Sequence, residues 1–164
     1  MELRAEHLFS APPQKVARAM VDPEFASGWD QILDVAAVEV LDHGSDGESV
    51  WLAARLTYGG SLDPLAARVL GSSRPTWVQT YRIDLAAGHG RLVIEPDHHA
   101  SLLQCEARVT LVEVDGGRTR RQLSGDLTVG VPLLGCRAAR ALAPAIEARI
   151  DAEAQLLECW LTRG

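Results

Sequence analysis

His7, Tyr58, Gln79 and Tyr81 are the side chains of this sequence best placed to do chemistry, because each sets a polar group into an apolar pattern. His7 falls on the apolar side of "LRAEHLFS". A neutral imidazole there can donate to or accept from a ligand, or carry a proton; the plainer reading is a core histidine bonded to a backbone carbonyl. Gln79 shares a strand face with Trp77 and Tyr81, so its amide needs a partner in protein, water or ligand. Tyr58 and Tyr81 can offer hydroxyls to a ligand carbonyl, or bury the ring and leave the tip wet. Acid–base catalysis needs two ionisable groups with pKa values driven apart. Strand parity turns Arg55, Asp84, Glu95, Glu106 and Arg108 outward, and the inward positions are expected to hold no carboxylate and no arginine. No Ser-His-Asp order stands out, and Gly59-Gly60, Gly88-His89-Gly90 and Gly116-Gly117 read as turns rather than as a phosphate loop. "EPDHH", with Glu95, Asp97, His98 and His99, comes nearest to a metal cluster, but neighbours on a strand face opposite ways and a solvated hairpin tip explains it. The expectation is therefore no catalytic residue, no metal ligand and no cofactor.

Bulk properties narrow the classes. The chain has 164 residues, 47% of them hydrophobic and 23% charged, which suits a single globular domain spanning 1–164. A net charge of −6 disfavours a nucleic-acid binder, which needs a basic face, and disfavours docking on anionic lipid. Cys105, Cys136 and Cys159 are odd in number and lack CxxC spacing, so reduced thiols in a cytoplasmic protein are expected. "MELRAEHLFS" alternates charged and apolar residues, unlike a signal peptide. No apolar run approaches the ~20 residues of a membrane span. The oligomeric state is left open.

The elements that must position the polar groups follow from periodicity. "LRAEHLFS" alternates as a strand. "SAPPQKVARAMVD" reads as a short helix with Ser10 as cap and prolines in its first turn, and "DPEFASGWDQIL" as a second, opened by Asp22 and Pro23, that carries Phe25 and Trp29 inward. Six strand patterns come next: "VAAVEVL", "SVWLAARLTY", "TWVQTYRIDL", "RLVIEP", "LLQCEARVTLVEV" and "RTRRQLSGDLTVGV". Between them lie turn-like breaks, "DHGSDGE", "AAGHG" and "DGG". An insertion, Gly59 to Pro75, holds Leu62, Leu65, Ala66, Val69 and Leu70 in a loop long enough to cover something. Beyond Pro132 the period changes to 3.6: Leu142, Ile146, Ile150, Leu157 and Leu161 form a stripe with Ala138, Ala141, Ala145 and Trp160 beside it. Pro144 is expected to bend this helix near Arg140.

Strand, two short helices, six strands and a long terminal helix is an order that resembles the helix-grip fold of the START-like superfamily, also called SRPBCC, with its Bet v 1-like proteins and polyketide cyclases. "FSAPPQKVARAMVDPEF" looks like that superfamily's opening. "EHLFSAPPQKV", "DPLAARVLG" followed by "WVQTY", and "GDLTVGVPLLG" resemble, more narrowly, a bacterial START-like family of unknown function. The resemblance spans essentially the whole chain. It implies an α+β protein in which a curved antiparallel sheet of about seven strands wraps a long C-terminal helix, with two short helices after the first strand. It transfers no catalytic residue. Cys136 and Pro144 depart from it, standing where helix formers or a glycine are expected.

A curved sheet and a straight helix cannot touch everywhere, so a hollow between them is expected where the helix is poor in large side chains. The expected ligand-binding set is His7, Trp29, Leu56, Tyr58, Leu65, Trp77, Gln79, Tyr81, Ile94, Cys105, Ala107, Leu127, Ala138, Ala141, Leu142 and Ala145, with "LDPLAARVLG" as a lid. Mostly apolar with a few polar tips, the set suits a small hydrophobic ligand such as a lipid, isoprenoid or aromatic metabolite. The alternatives are a cyclase- or dehydratase-type enzyme on the same fold, and a protein-interaction domain with a collapsed interior.

Overall fold

The computed structural model describes residues 1–71 and 74–163, apart from the side chains of residues 66, 69 and 70. The elements are β1 (Glu2–Phe9), α1 (Pro13–Met20), α2 (Pro23–Ser27) running into a 3-10 turn (Gly28–Gln31), β2 (Val35–Ser45), β3 (Ser49–Tyr58), α3 (Pro64–Leu70), β4 (Thr76–Asp84), β5 (His89–Pro96), a 3-10 turn (Ala100–Leu102), β6 (Leu103–Val114), β7 (Arg118–Val129) and α4 (Gly135–Leu161). Seven strands form one antiparallel sheet in the order β1-β7-β6-β5-β4-β3-β2. Two register shifts, at Val35/Ala37 and Val40/Asp42, interrupt the edge strand β2; bulges of this kind bend and twist a strand.

Local chemistry accounts for the boundaries. Asp22 caps α2 by accepting the Glu24 N–H at 2.8 Å, with Pro23 in the first turn. Ser10 does not cap α1, which starts after Pro12; its N–H bonds the Glu158 carboxylate instead, at 3.0 Å. β2 runs to Ser45 rather than ending at Leu41, because Asp46 makes the reversal on its own by accepting from Glu48 N–H at 2.9 Å and Ser49 N–H at 2.7 Å. α4 is continuous through Pro144, which lies on the exposed side together with Arg140, where a carbonyl without its helical partner meets water.

Strand parity fills one face of the sheet. Val50, Leu52, Ala54 and Leu56 of β3 and Leu103, Cys105, Ala107, Val109 and Leu111 of β6 are buried. Leu52, Tyr81, Leu92, Ala107, Gly125 and Leu3 stand side by side in one row across six strands. α4 packs on β1, β7, α1 and α3. Phe25 locks the end of the helix, meeting Trp29 edge-on at 6.0 Å and Trp160 at 5.9 Å. Leu157 and Leu161 are buried in the same region, each contributing about 1.5–3 kcal/mol by leaving water. Among the described residues no helix is long and apolar enough to cross a membrane.

Gly125 narrows that row for a steric reason: a Cβ there would collide with the Glu106 carbonyl and stand 2.8 Å from the Ala107 Cβ. Gly125→Ala is expected to cost ~1–3 kcal/mol in urea denaturation through overpacking. Gly130→Ala, whose Cβ would meet nothing closer than 3.8 Å, serves as a near-neutral control.

Candidate functional site

The interior contains an ionic cluster. Glu153 on α4 and Arg121 on β7 are both fully buried, and Arg121 Nη1 donates to Glu153 Oε1 at 3.3 Å. Tyr81 Oη donates to the same oxygen at 2.9 Å, and Gln79 Nε2 donates to Oε2 at 3.1 Å. Arg149, one helical turn earlier, brings Nη1 to 4.0 Å from Oε2. Burial and the adjacent carboxylate push the Tyr81 hydroxyl far above its ordinary pKa, so it stays a neutral donor. This overturns the expectation of an interior without carboxylate or arginine. Inward parity of β7, followed back from Leu123, lands on Arg121, and Glu153 lies three residues after Ile150 and four before Leu157, on the buried stripe of the helix.

The cluster reaches the surface through His7. Arg121 Nη2 donates to His7 Nδ1 at 3.2 Å, and His7 Nε2 lies 2.7 Å from Asp151 Oδ1. With Nδ1 accepting, Nε2 carries the proton and donates it to Asp151, which assigns a neutral tautomer. Burial, and next the Arg121 charge, lower the His7 pKa below 6.5, against the pull of Asp151. The partner of His7 is thus a carboxylate and an arginine rather than a backbone carbonyl.

A hollow of about 310 Å³ lies at one end of the sheet. It is bordered by the end of β3 (Tyr58), the start of β4 (Thr76, Trp77), the end of β5 (Ile94, Pro96) and the start of β6 (Leu103). Leu142, Ala145, Ile146, Ala148, Arg149 and Ala152 of α4 close it on the other side. Leu62 and Pro75, from either end of the insertion, and Ile32, Leu33 and Asp34 complete it. The lining is mainly apolar. By contrast, the space between the middle of the sheet and α4, beside Cys105, Ala107, Leu123 and Ile150, is only about 10 Å³, room for one water at most. A wider depression on the outer sheet face is lined by charged and polar side chains, among them Arg91 and Glu106, which pair with each other.

Of the expected ligand-binding residues, Tyr58, Trp77, Ile94, Leu142 and Ala145 come together around this hollow. His7, Gln79 and Tyr81 belong to the ionic cluster instead. Trp29, Leu56, Cys105, Ala107, Leu127 and Ala138 are buried in the packed core, outside the lining. Leu65 packs partly buried against that core, and Ala141 is half-buried, also outside the lining. The alanines that border the hollow are Ala145, Ala148 and Ala152 rather than Ala138, Ala141 and Ala145, because the helix faces the hollow one turn further along. Ala66, Val69 and Leu70, expected in the lid, lie outside the described side chains. Tyr58 donates to the Ser61 carbonyl at 3.3 Å, and burial, then Asp34, raise its pKa. Cys105 is a buried free thiol whose pKa burial pushes up to about 11. In "EPDHH", Asp97 is held by Arg55 at 2.9 and 3.2 Å, and among the described residues no three metal-ligating side chains converge.

The fold has many solved counterparts. The Zhui aromatase/cyclase from Streptomyces sp. R1128 superposes with a TM-score of 0.65 at 17% identity, over 99% of this chain and 94% of that one. Ara h 8.0201 gives 0.65 at 13%, over 100% and 99%. A START superfamily protein from Mycobacterium smegmatis gives 0.60 at 14%, over 97% and 98%. The architecture is therefore the helix-grip fold that these structures share. The chain belongs to the family described as "Protein of unknown function (DUF2505)", which it matches over residues 4–161. Among curated proteins, none matches.

Glu153→Leu strands the Arg121 charge in the interior and is expected to cost about 3–5 kcal/mol, whereas combining it with Arg121→Met recovers much of that loss. Additive single effects in urea denaturation would show the pair to be uncoupled. The unfolded chain protonates His7 at about 6.5 and the folded chain only at a lower pH. Stability is therefore full above that value and falls as pH drops through the window between the two. His7→Gln is expected to flatten this part of a Tm-against-pH profile; an unchanged slope would assign the acid sensitivity elsewhere.

Proposed function

We propose that this protein binds or carries a small, largely apolar molecule, of lipid, isoprenoid or aromatic kind, in the hollow between α4 and the sheet. The observation that carries the reading is the hollow itself. Its volume of about 310 Å³ stands at the lower end of small-molecule sites, and its predominantly apolar lining with a few polar groups is what such sites require. The close packing at mid-sheet supports the same reading, since the space beside Cys105, Ala107, Leu123 and Ile150 is about 10 Å³, too small for such a molecule. Binding is favoured over catalysis by the state of the ionic cluster. The Glu153 carboxylate already accepts from Arg121, Tyr81 and Gln79, and none of these four residues lines the hollow.

Native mass spectrometry of gently purified protein is expected to show a co-purifying hydrophobic mass. The location is tested by steric blocking: Ala152→Trp should weaken uptake of an apolar fluorescent dye by at least ~tenfold, or 1.4 kcal/mol. Ala141→Trp, outside the lining, should leave uptake nearly unchanged. The reverse order would move the site toward the start of the helix.

A further inference from the structure

Resting on the reading of the hollow as a small-molecule site, we infer that its ligand is a monocarboxylate, with the carboxylate seated on Arg149 and the apolar body in the hollow. Arg149 lines the hollow, and its side chain is nine-tenths buried, with 10% exposure. The guanidinium carbon lies over the Trp77 ring, 5.6 Å from the centroid, a cation–π contact that holds the charge beside the hollow. Its Nη1 has no hydrogen-bond partner among the described residues. The carboxylate oxygen facing it, Glu153 Oε2, stands 4.0 Å away, beyond hydrogen-bond range. Trp77, which also lines the hollow, leaves a second buried donor, Nε1, without a partner among the described residues. Two orphaned donors beside one apolar space call for an acceptor.

Charge sharpens the class. The inner cluster sets two guanidinium groups, Arg121 and Arg149, against one carboxylate, Glu153. His7 adds no charge when it accepts from Arg121, and its partner Asp151 is exposed. Among the described residues of this cluster, Arg149 is thus the cation whose charge Glu153, already paired with Arg121, does not fully balance. Asp34 is the acidic residue of the lining, and it is exposed beside Tyr58 rather than buried with the cluster. One surplus positive charge suits a group of charge −1, and the planar fork of arginine matches a carboxylate. A phosphate monoester would bring more charge than the site can balance. At ~30 Å³ for each water-sized atom, 310 Å³ holds about ten non-hydrogen atoms, the size of octanoate.

The experiment compares octanoate with octanamide, its uncharged isostere, by calorimetric titration at about pH 7.5, where the acid is ionised. Octanoate is expected to bind at least ~tenfold more tightly. Arg149→Gln should erase the preference and Arg149→Lys, which keeps the charge without the planar fork, should keep part of it, while Trp77→Phe should weaken both ligands. Equal affinity of the two ligands, or a preference that survives Arg149→Gln, would overturn the monocarboxylate and leave the hollow as an apolar site. Uptake of the apolar dye without either ligand would do the same. Failure of dye and both ligands alike would overturn the hollow as a binding site. Should Arg149→Gln not fold, the wild-type comparison and Arg149→Lys still decide.

Discussion

A carboxylate sealed away from water has to be surrounded by donors, and the Glu153 side chain imposes that demand on the whole structure. Its donors come from β4, through Gln79 and Tyr81, and from β7, through Arg121. Two strands, β5 and β6, lie between them in the sheet. In a flat sheet β4 and β7 would be about 14 Å apart, three spacings of ~4.8 Å. The concavity of the sheet and the reach of arginine and tyrosine together bring these groups to one carboxyl. Curvature, helix position and charge satisfaction are thus a single solution.

That solution fixes the rotation and height of α4. A helix turned by one residue would carry Glu153 about 100° away from its donors and leave Arg121 buried without a counter-charge. An ion pair of this kind adds little net stability compared with a well-packed apolar pair, but breaking it is costly. It therefore selects one arrangement of helix on sheet. Apolar contacts alone, with alanines at 138, 139, 143 and 154, would discriminate weakly among neighbouring rotations.

With the helix held at Glu153, Leu157 and Leu161 on one side and against β1 and β7 below, the space that remains is at the opposite end, where β3 to β6 begin or finish. The residues facing it from α4 are small or slender, Ala145, Ala148 and Ala152, or charged, Arg149. Arg149 belongs to both regions. It approaches the buried carboxylate from one side and borders the apolar space on the other, so the charge balance of the cluster and the polarity of the hollow are linked through one side chain.

Much of this was legible in the residues. Alternation alone outlined β3, β6 and β7 and chose their buried faces, because a sheet with one wet face writes its burial as a period of two. Asp22 and Pro23 marked α2, and the 3.6-residue stripe marked α4. Arg121 and Glu153 also sat in those periods, but a charged residue type argues for solvent, and only a partner across the fold reverses the argument. Their pairing joins positions 32 residues apart, and no local pattern encodes it. The location of the hollow was likewise a tertiary matter. Alanines line several faces of the final helix, and which of them meet open space depends on how far a curved sheet stands from a rod docked at its other end.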